Sequence, residues 1–222
     1  EDSLRKFFPE LPYHNITVRQ LLHHTSGLPD YMDLFVQYWD STKIATNRDI
    51  IDLLVKYHPP VHFAPREKWE YSNTGYALLA SIIEKASGRK FPDYLAKYIF
   101  DPLEMKYSLV YRRRLEKRTL PNYAYGYIFD GTAKRFALPD SVGETAAMVY
   151  SLDGIVGDGT VNSTATDLLK WDRALYTDKL VSAAMIAEAF QPDTLKNGKP
   201  TSYGFGWAVG KIEGAGRVVN HS

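Results

Sequence analysis

Three residue spacings in this sequence could support chemistry. A Ser-x-x-Lys turn at the head of a helix sets a hydroxyl and an amine on one face, where the amine helps remove the hydroxyl proton. Two matches occur. Ser3-Leu4-Arg5-Lys6 runs into Phe7, Phe8 and Pro9, which offer no helix to hold it, and Ser87-Gly88-Arg89-Lys90 lies where a glycine breaks a helix. Both read as chance. A Tyr-x-Asn tripeptide joins a phenol able to exchange a proton to an amide able to bond a carbonyl. Tyr13-His14-Asn15 leads only into a surface turn. Tyr71-Ser72-Asn73 connects a short extended piece to a helix, a junction where side chains face a cleft. The plainer alternative there is a strand tyrosine packed in the core and an asparagine capping the helix. His58 and His62 have the i, i+4 spacing of a zinc helix, but Pro59 and Pro60 stand between them. No metal site is assigned.

The elements that must position these groups read as follows. Thr17 and Gln20 form a capping box for a helix from Val18 to His24, stopped by Gly27. Adjacent His23 and His24 point about 100° apart on such a helix, so one packs and the other faces water or bonds a turn. Thr46 caps a helix from Asn47 to Tyr57. Asn73 caps Thr74 to Ser87, with Tyr76, Leu79, Ile82, Ile83 and Ala86 on its apolar face. A further helix covers Asp93 to Phe100. Others start at Ser163 or Thr164 and at Ser182. Irregular strands fill Tyr107 to Ala137, with Asp130-Gly131 as a hairpin turn. Tyr203 to Val209 and Arg217 to His221 are strand-like. The run Arg112-Arg113-Arg114 reads as a solvated loop.

Composition narrows the function classes. Lys+Arg 27 against Asp+Glu 26 gives a net charge of +1, which argues against a nucleic-acid binder. The Cys count of 0 removes thiol nucleophiles, disulfides and Cys-zinc sites. No apolar stretch approaches the ~20 residues of a membrane span. The first residues are charged and the last stop within an apolar run, so both ends look cut. The chain reads as one globular unit over 1–222, truncated at both ends.

Taken together, the motifs carry a resemblance. Leu21-Leu22-His23-His24-Thr25-Ser26-Gly27-Leu28-Pro29 resembles the LLxHTSGLP signature of the class C β-lactamase-related family. That family includes low-molecular-weight penicillin-binding proteins, D-alanyl-D-alanine carboxypeptidases and lactamase-like esterases. Trp69 to Tyr76 is similar to its second catalytic motif and Phe100 to Met105 to its "PLGM" segment. Gly157-Asp158-Gly159 through Trp171 resembles its glycine-rich stretch and following helix, and Tyr203-Gly204-Phe205-Gly206-Trp207 the strand before its third motif. Two positions depart from it: Arg66 and Glu104 stand in turns where the family usually has Gly.

The resemblance implies an α+β fold of the β-lactamase and penicillin-binding-protein type. An antiparallel sheet is flanked by helices, with a helical region beside it, and the sheet is incomplete in this chain, with exposed edges and poor solubility. It implies a serine hydrolase that forms an acyl-enzyme from amide, β-lactam or ester substrates, peptidoglycan peptides among them. Tyr71 matches the catalytic general base or acid, Asn73 the amide that binds the acyl side of the substrate, and His221 the first position of a His-x-Gly motif. The nucleophilic serine is expected ahead of residue 1. A phenol titrates near 10, and the family's Lys would lower it. Without that Lys, Tyr71 should stay an ordinary neutral phenol. An imidazole, unlike a lysine, loses its charge near neutral pH, so carboxylate-bearing substrates should bind better as pH falls below about 6.5. No cofactor is implied, and the expected location is periplasmic or secreted. The alternative is a non-catalytic relative that uses the cleft to bind a ligand.

Overall fold

A computed structural model of the chain describes residues 2–214 and 216–221. Its first half is helical. Ser3 caps a single turn, α1 (Leu4–Phe7), and the Thr17–Gln20 box starts α2 (Val18–Leu22), with Thr17 N–H donating to Gln20 Oε1 at 2.9 Å. Asp30 starts α3 (Tyr31–Tyr38) by accepting from Met32 N–H at 3.0 Å. The N–H and hydroxyl of Thr46 both donate to Asp49 at the head of α4 (Asn47–Tyr57). The longest helix, α5 (Asn73–Ser87), ends on left-handed Gly88. It begins one residue earlier than the sequence suggests: Ser72, not Asn73, holds the cap position. Next comes α6 (Phe91–Leu95), which runs on as a π-helical turn over Ala96–Phe100.

The second half alternates. Strand β1 (Leu109–Val110), turn α7 (Arg113–Glu116) and the hairpin β2 (Ile128–Asp130) and β3 (Arg135–Ala137) precede α8 (Gly143–Ser151). Then follow β4 (Val161–Asn162), α9 (Ala165–Ala174), α10 (Ala183–Ala189), β5 (Ala208–Ile212) and β6 (Gly216–Asn220). The strands pair antiparallel as three separate ribbons, β1 with β4, β2 with β3 and β5 with β6. The sheet is therefore incomplete, as expected. The hairpin turn is longer than Asp130-Gly131 alone: Asp130 Oδ1 accepts from the N–H of Thr132 and Ala133, and β3 begins only at Arg135.

The main core gathers Leu4, Phe8, Leu21, Ile50, Leu54 and Leu78, so α1, α2, α4 and α5 pack as one body. Gly27 has φ +76°, and a Cβ there would sit 2.1 Å from the Phe63 carbonyl oxygen, so only glycine lets the chain leave α2 this way. The arginine run is not a solvated loop. Arg114 pairs at 2.8 Å with buried Asp153, which also accepts from the N–H of Arg114 and Leu115, and both Arg113 and Arg114 bond Asp140. Arg66 and Glu104 both adopt left-handed backbone, at φ 63° and 55°. Those turns keep the shape that glycine favours although glycine is absent.

Candidate active site

Tyr71 stands one residue ahead of the α5 cap, 43% exposed. Its ring lies on the His24 imidazole, with centroids 4.2 Å apart and planes tilted by 35°. His221, just past β6, places its ring 6.2 Å from Tyr71 and 6.0 Å from Tyr203. Tyr71, Tyr203 and His221, together with Tyr76, Asp158 and the backbone of Gly157, line an open cavity of about 290 Å³. Gly157 has φ +104°, and a Cβ there would strike the Tyr76 carbonyl and the Ala80 methyl at 2.5 Å, so this wall closes on α5 only as glycine. A larger groove of about 470 Å³ runs between α3 and α8, but Met32, Phe35, Trp39 and Met148 dominate it. The proton-transfer groups sit in the smaller one.

Burial raises the Tyr71 phenol above its usual value, and the Asp158 and Asp30 carboxylates push it the same way. The phenol is neutral at pH 7, as expected for a site without a neighbouring ammonium. Burial also raises Tyr203, to about 12. Asp158 is raised by desolvation, although Tyr31 donates its hydroxyl to the carboxylate at 2.6 Å. His24 is lowered to about 4, first by burial and then by His221 and His23. Both histidines after α2 are buried, so neither faces water. They carry opposite tautomers: His23 Nδ1–H donates to the Tyr203 carbonyl at 3.1 Å, whereas His24 Nδ1 accepts from Ser72 N–H at 3.2 Å.

Asn73 is not among the cavity walls. Its backbone N–H and its Nδ2 both donate to Asp30 Oδ2, at 2.7 and 2.9 Å, which laces the start of α5 to the start of α3. The second Nδ2 hydrogen remains for another acceptor. The two Ser-x-x-Lys matches lie elsewhere. Ser87 ends α5 with its hydroxyl on the Ile83 carbonyl, about 21 Å of helix from Asn73. Contrary to the sequence reading, a helical turn does follow Ser3, which caps α1 by accepting from Arg5 N–H. His62 pairs with Glu70 at 2.5 Å, and His58 ends α4 in left-handed backbone. No three His, Asp or Glu among the described residues are grouped to hold a metal, and no described helix is long and apolar enough to cross a membrane.

Sequence reasoning assigned no role to Tyr31, Tyr76, Asp158 or Tyr203. Tyr76, Asp158 and Tyr203 fall inside the motifs quoted above, which is where a signal lay.

Comparison with known proteins places the chain in a family. The chain is 49% identical over 222 residues to "Penicillin-binding protein 4*" of Bacillus subtilis (strain 168), covering 100% of this chain and 49% of that protein. Among solved structures it matches a penicillin binding protein from Bacillus halodurans with a TM-score of 0.75 at 28% identity, covering 96% of this chain and 61% of that one. It matches the D-amino acid amidase from Ochrobactrum anthropi SV3 with a TM-score of 0.73 at 28% identity, covering 100% and 61%. The chain thus spans about half the length of that penicillin-binding protein. The beta-lactamase family model matches residues 2–222, and the chain belongs to that family.

Proposed function

We propose that this chain is the larger part of the catalytic region of a serine hydrolase working by acyl transfer on amide or lactam bonds. The observation that carries the reading is the shared cavity of Tyr71 and His221, residues 150 positions apart in the chain. Tyr71 is the group that passes the proton. Asn73 offers its second amide hydrogen to the acyl side of the substrate, and His221 holds the far end. The attacking serine and its lysine lie outside these residues, because Ser3 and Ser87 are bound up elsewhere. An ammonium brought beside Tyr71 would oppose the burial that now raises it and lower the phenol toward a working base. A relative named for D-amino acid amides supports small D-configured amides as substrates, with carboxypeptidase and esterase activity as variants of the same acyl transfer. Work on such substrates fits a periplasmic or secreted protein.

Turnover of D-phenylalanine amide by the whole protein, with and without Tyr71→Phe, tests this. Loss of a proton-transfer group lowers kcat by about 10²–10⁴-fold. Undiminished turnover in Tyr71→Phe would remove Tyr71 from the reaction. A whole protein that binds the amide but never cleaves it would instead establish a non-catalytic ligand binder.

A further inference from the structure

Three consecutive residues around the candidate proton-transfer group make fixed contacts with one residue forty-odd positions earlier. Glu70 N–H donates to the His24 carbonyl at 3.0 Å. The Tyr71 ring rests on the His24 ring at 4.2 Å. Ser72 N–H donates to His24 Nδ1 at 3.2 Å. His24 has left-handed backbone, φ 56°, a conformation in which its carbonyl and its side chain both address the same segment. The imidazole is 2% exposed and boxed by Tyr76 at 4.9 Å, Tyr203 at 4.8 Å and Trp69 at 6.2 Å, so it cannot swing away. Its Nδ1 accepts, which puts the proton on Nε2, and Nε2 is buried with no hydrogen-bond partner among the described residues. A side chain kept in place at the expense of a bare polar atom is held there by its other contacts.

We propose that His24 is the positioning residue of this site: through one carbonyl, one ring face and one ring nitrogen it registers residues 70, 71 and 72, and so sets the angle at which the Tyr71 phenol meets the cavity. The inference rests on the proposed role of Tyr71 and adds the residue that aims it. The imidazole touches no reacting atom.

Two substitutions separate the contacts. His24→Asn tolerates left-handed backbone and keeps an acceptor near Nδ1 but has no ring. His24→Phe keeps a ring and removes the acceptor. In His24→Asn the Ser72 amide should stay protected from hydrogen exchange, while the ring-current shift of Tyr71 collapses and its phenol titrates closer to 10. In His24→Phe the Tyr71 shift should persist while Ser72 exchanges about tenfold faster, the effect of one lost hydrogen bond. The unsubstituted chain should show His24 protonated on Nε2 alone in long-range ¹H–¹⁵N spectra, a result that needs no variant to fold. A proton on Nδ1, or two variants that change Ser72 and Tyr71 together or not at all, would overturn the proposal. None of these signals depends on acylation. A failed amidase assay leaves them standing, and their failure leaves the amidase assay standing.

Discussion

At the scale of single residues the account turns on which groups are charged. Tyr71 is raised by burial and by two carboxylates, so its ionisation, followed by ¹³Cζ NMR with Tyr71→Phe for assignment, should fall above 10 in this chain. A midpoint below 10 would mean that a cation already sits beside it. His24 makes the opposite shift visible as stability. Its value of about 4 lies below the ~6.5 of an unfolded histidine, so the unfolded chain takes up the proton first as pH falls. The contribution is therefore complete above pH 6.5 and is lost between about 6.5 and 4, a difference of about 3 kcal/mol. Urea unfolding at pH 7 and pH 4.5 should show a smaller loss in His24→Asn than in the unchanged chain. Equal losses would mean that His24 ionises normally. At this scale the placing of Tyr71 and His221 at one cavity was legible, because they sit in motifs with a recognisable order. The pairing of Tyr31 with Asp158 was not. Their hydrogen bond joins residues 127 positions apart, and nothing local announces it.

At the scale of elements, capping chemistry carried the reading. Thr17, Thr46, Thr164 and Ser182 each mark a helix start where the sequence suggests one. The single turns α1 and α7 escaped it, as did two longer helices. For α3 the cap Asp30 follows Pro29 and reads as the tail of the Gly27 turn, and Tyr31 and Phe35 are weak helix formers that are held by packing. For α8 the chain enters on Val142, which has no side chain able to cap. Asn73 was misread as a cap because its amide reaches across to Asp30 rather than along its own helix. The turn at Glu104 yields a prediction. Its backbone is left-handed, and its carbonyl, not its side chain, accepts from Lys170 Nζ. Left-handed backbone costs an L-residue about 1–2 kcal/mol, part of which glycine returns as chain entropy. Glu104→Gly should therefore stabilise the chain by about 0.5–1 kcal/mol and raise the melting midpoint by a few degrees, on the order of 2 °C. A lower midpoint would show that the turn is not strained.

For the molecule as a whole, the α+β class and the incomplete sheet were legible because the motifs occur in family order from end to end of the chain. The division of the strands into three ribbons was not, since two- and three-residue strands such as β1 and β2 leave too short a pattern to read. With a helical core closed around α5 and a cavity that holds Tyr71 and His221 but no serine among the described residues, these residues alone should not turn over an amide or a lactam. Loss of a serine nucleophile costs on the order of a million-fold. The most direct test is the rate and place of acylation in the whole protein, measured with a chromogenic cephalosporin and peptide mapping by mass spectrometry. The acyl group should appear on a serine outside residues 2–221, and Tyr71→Phe should slow its arrival by about a hundredfold or more. An acyl group on Ser3 or Ser87, or a rate that Tyr71→Phe leaves unchanged, would contradict the account.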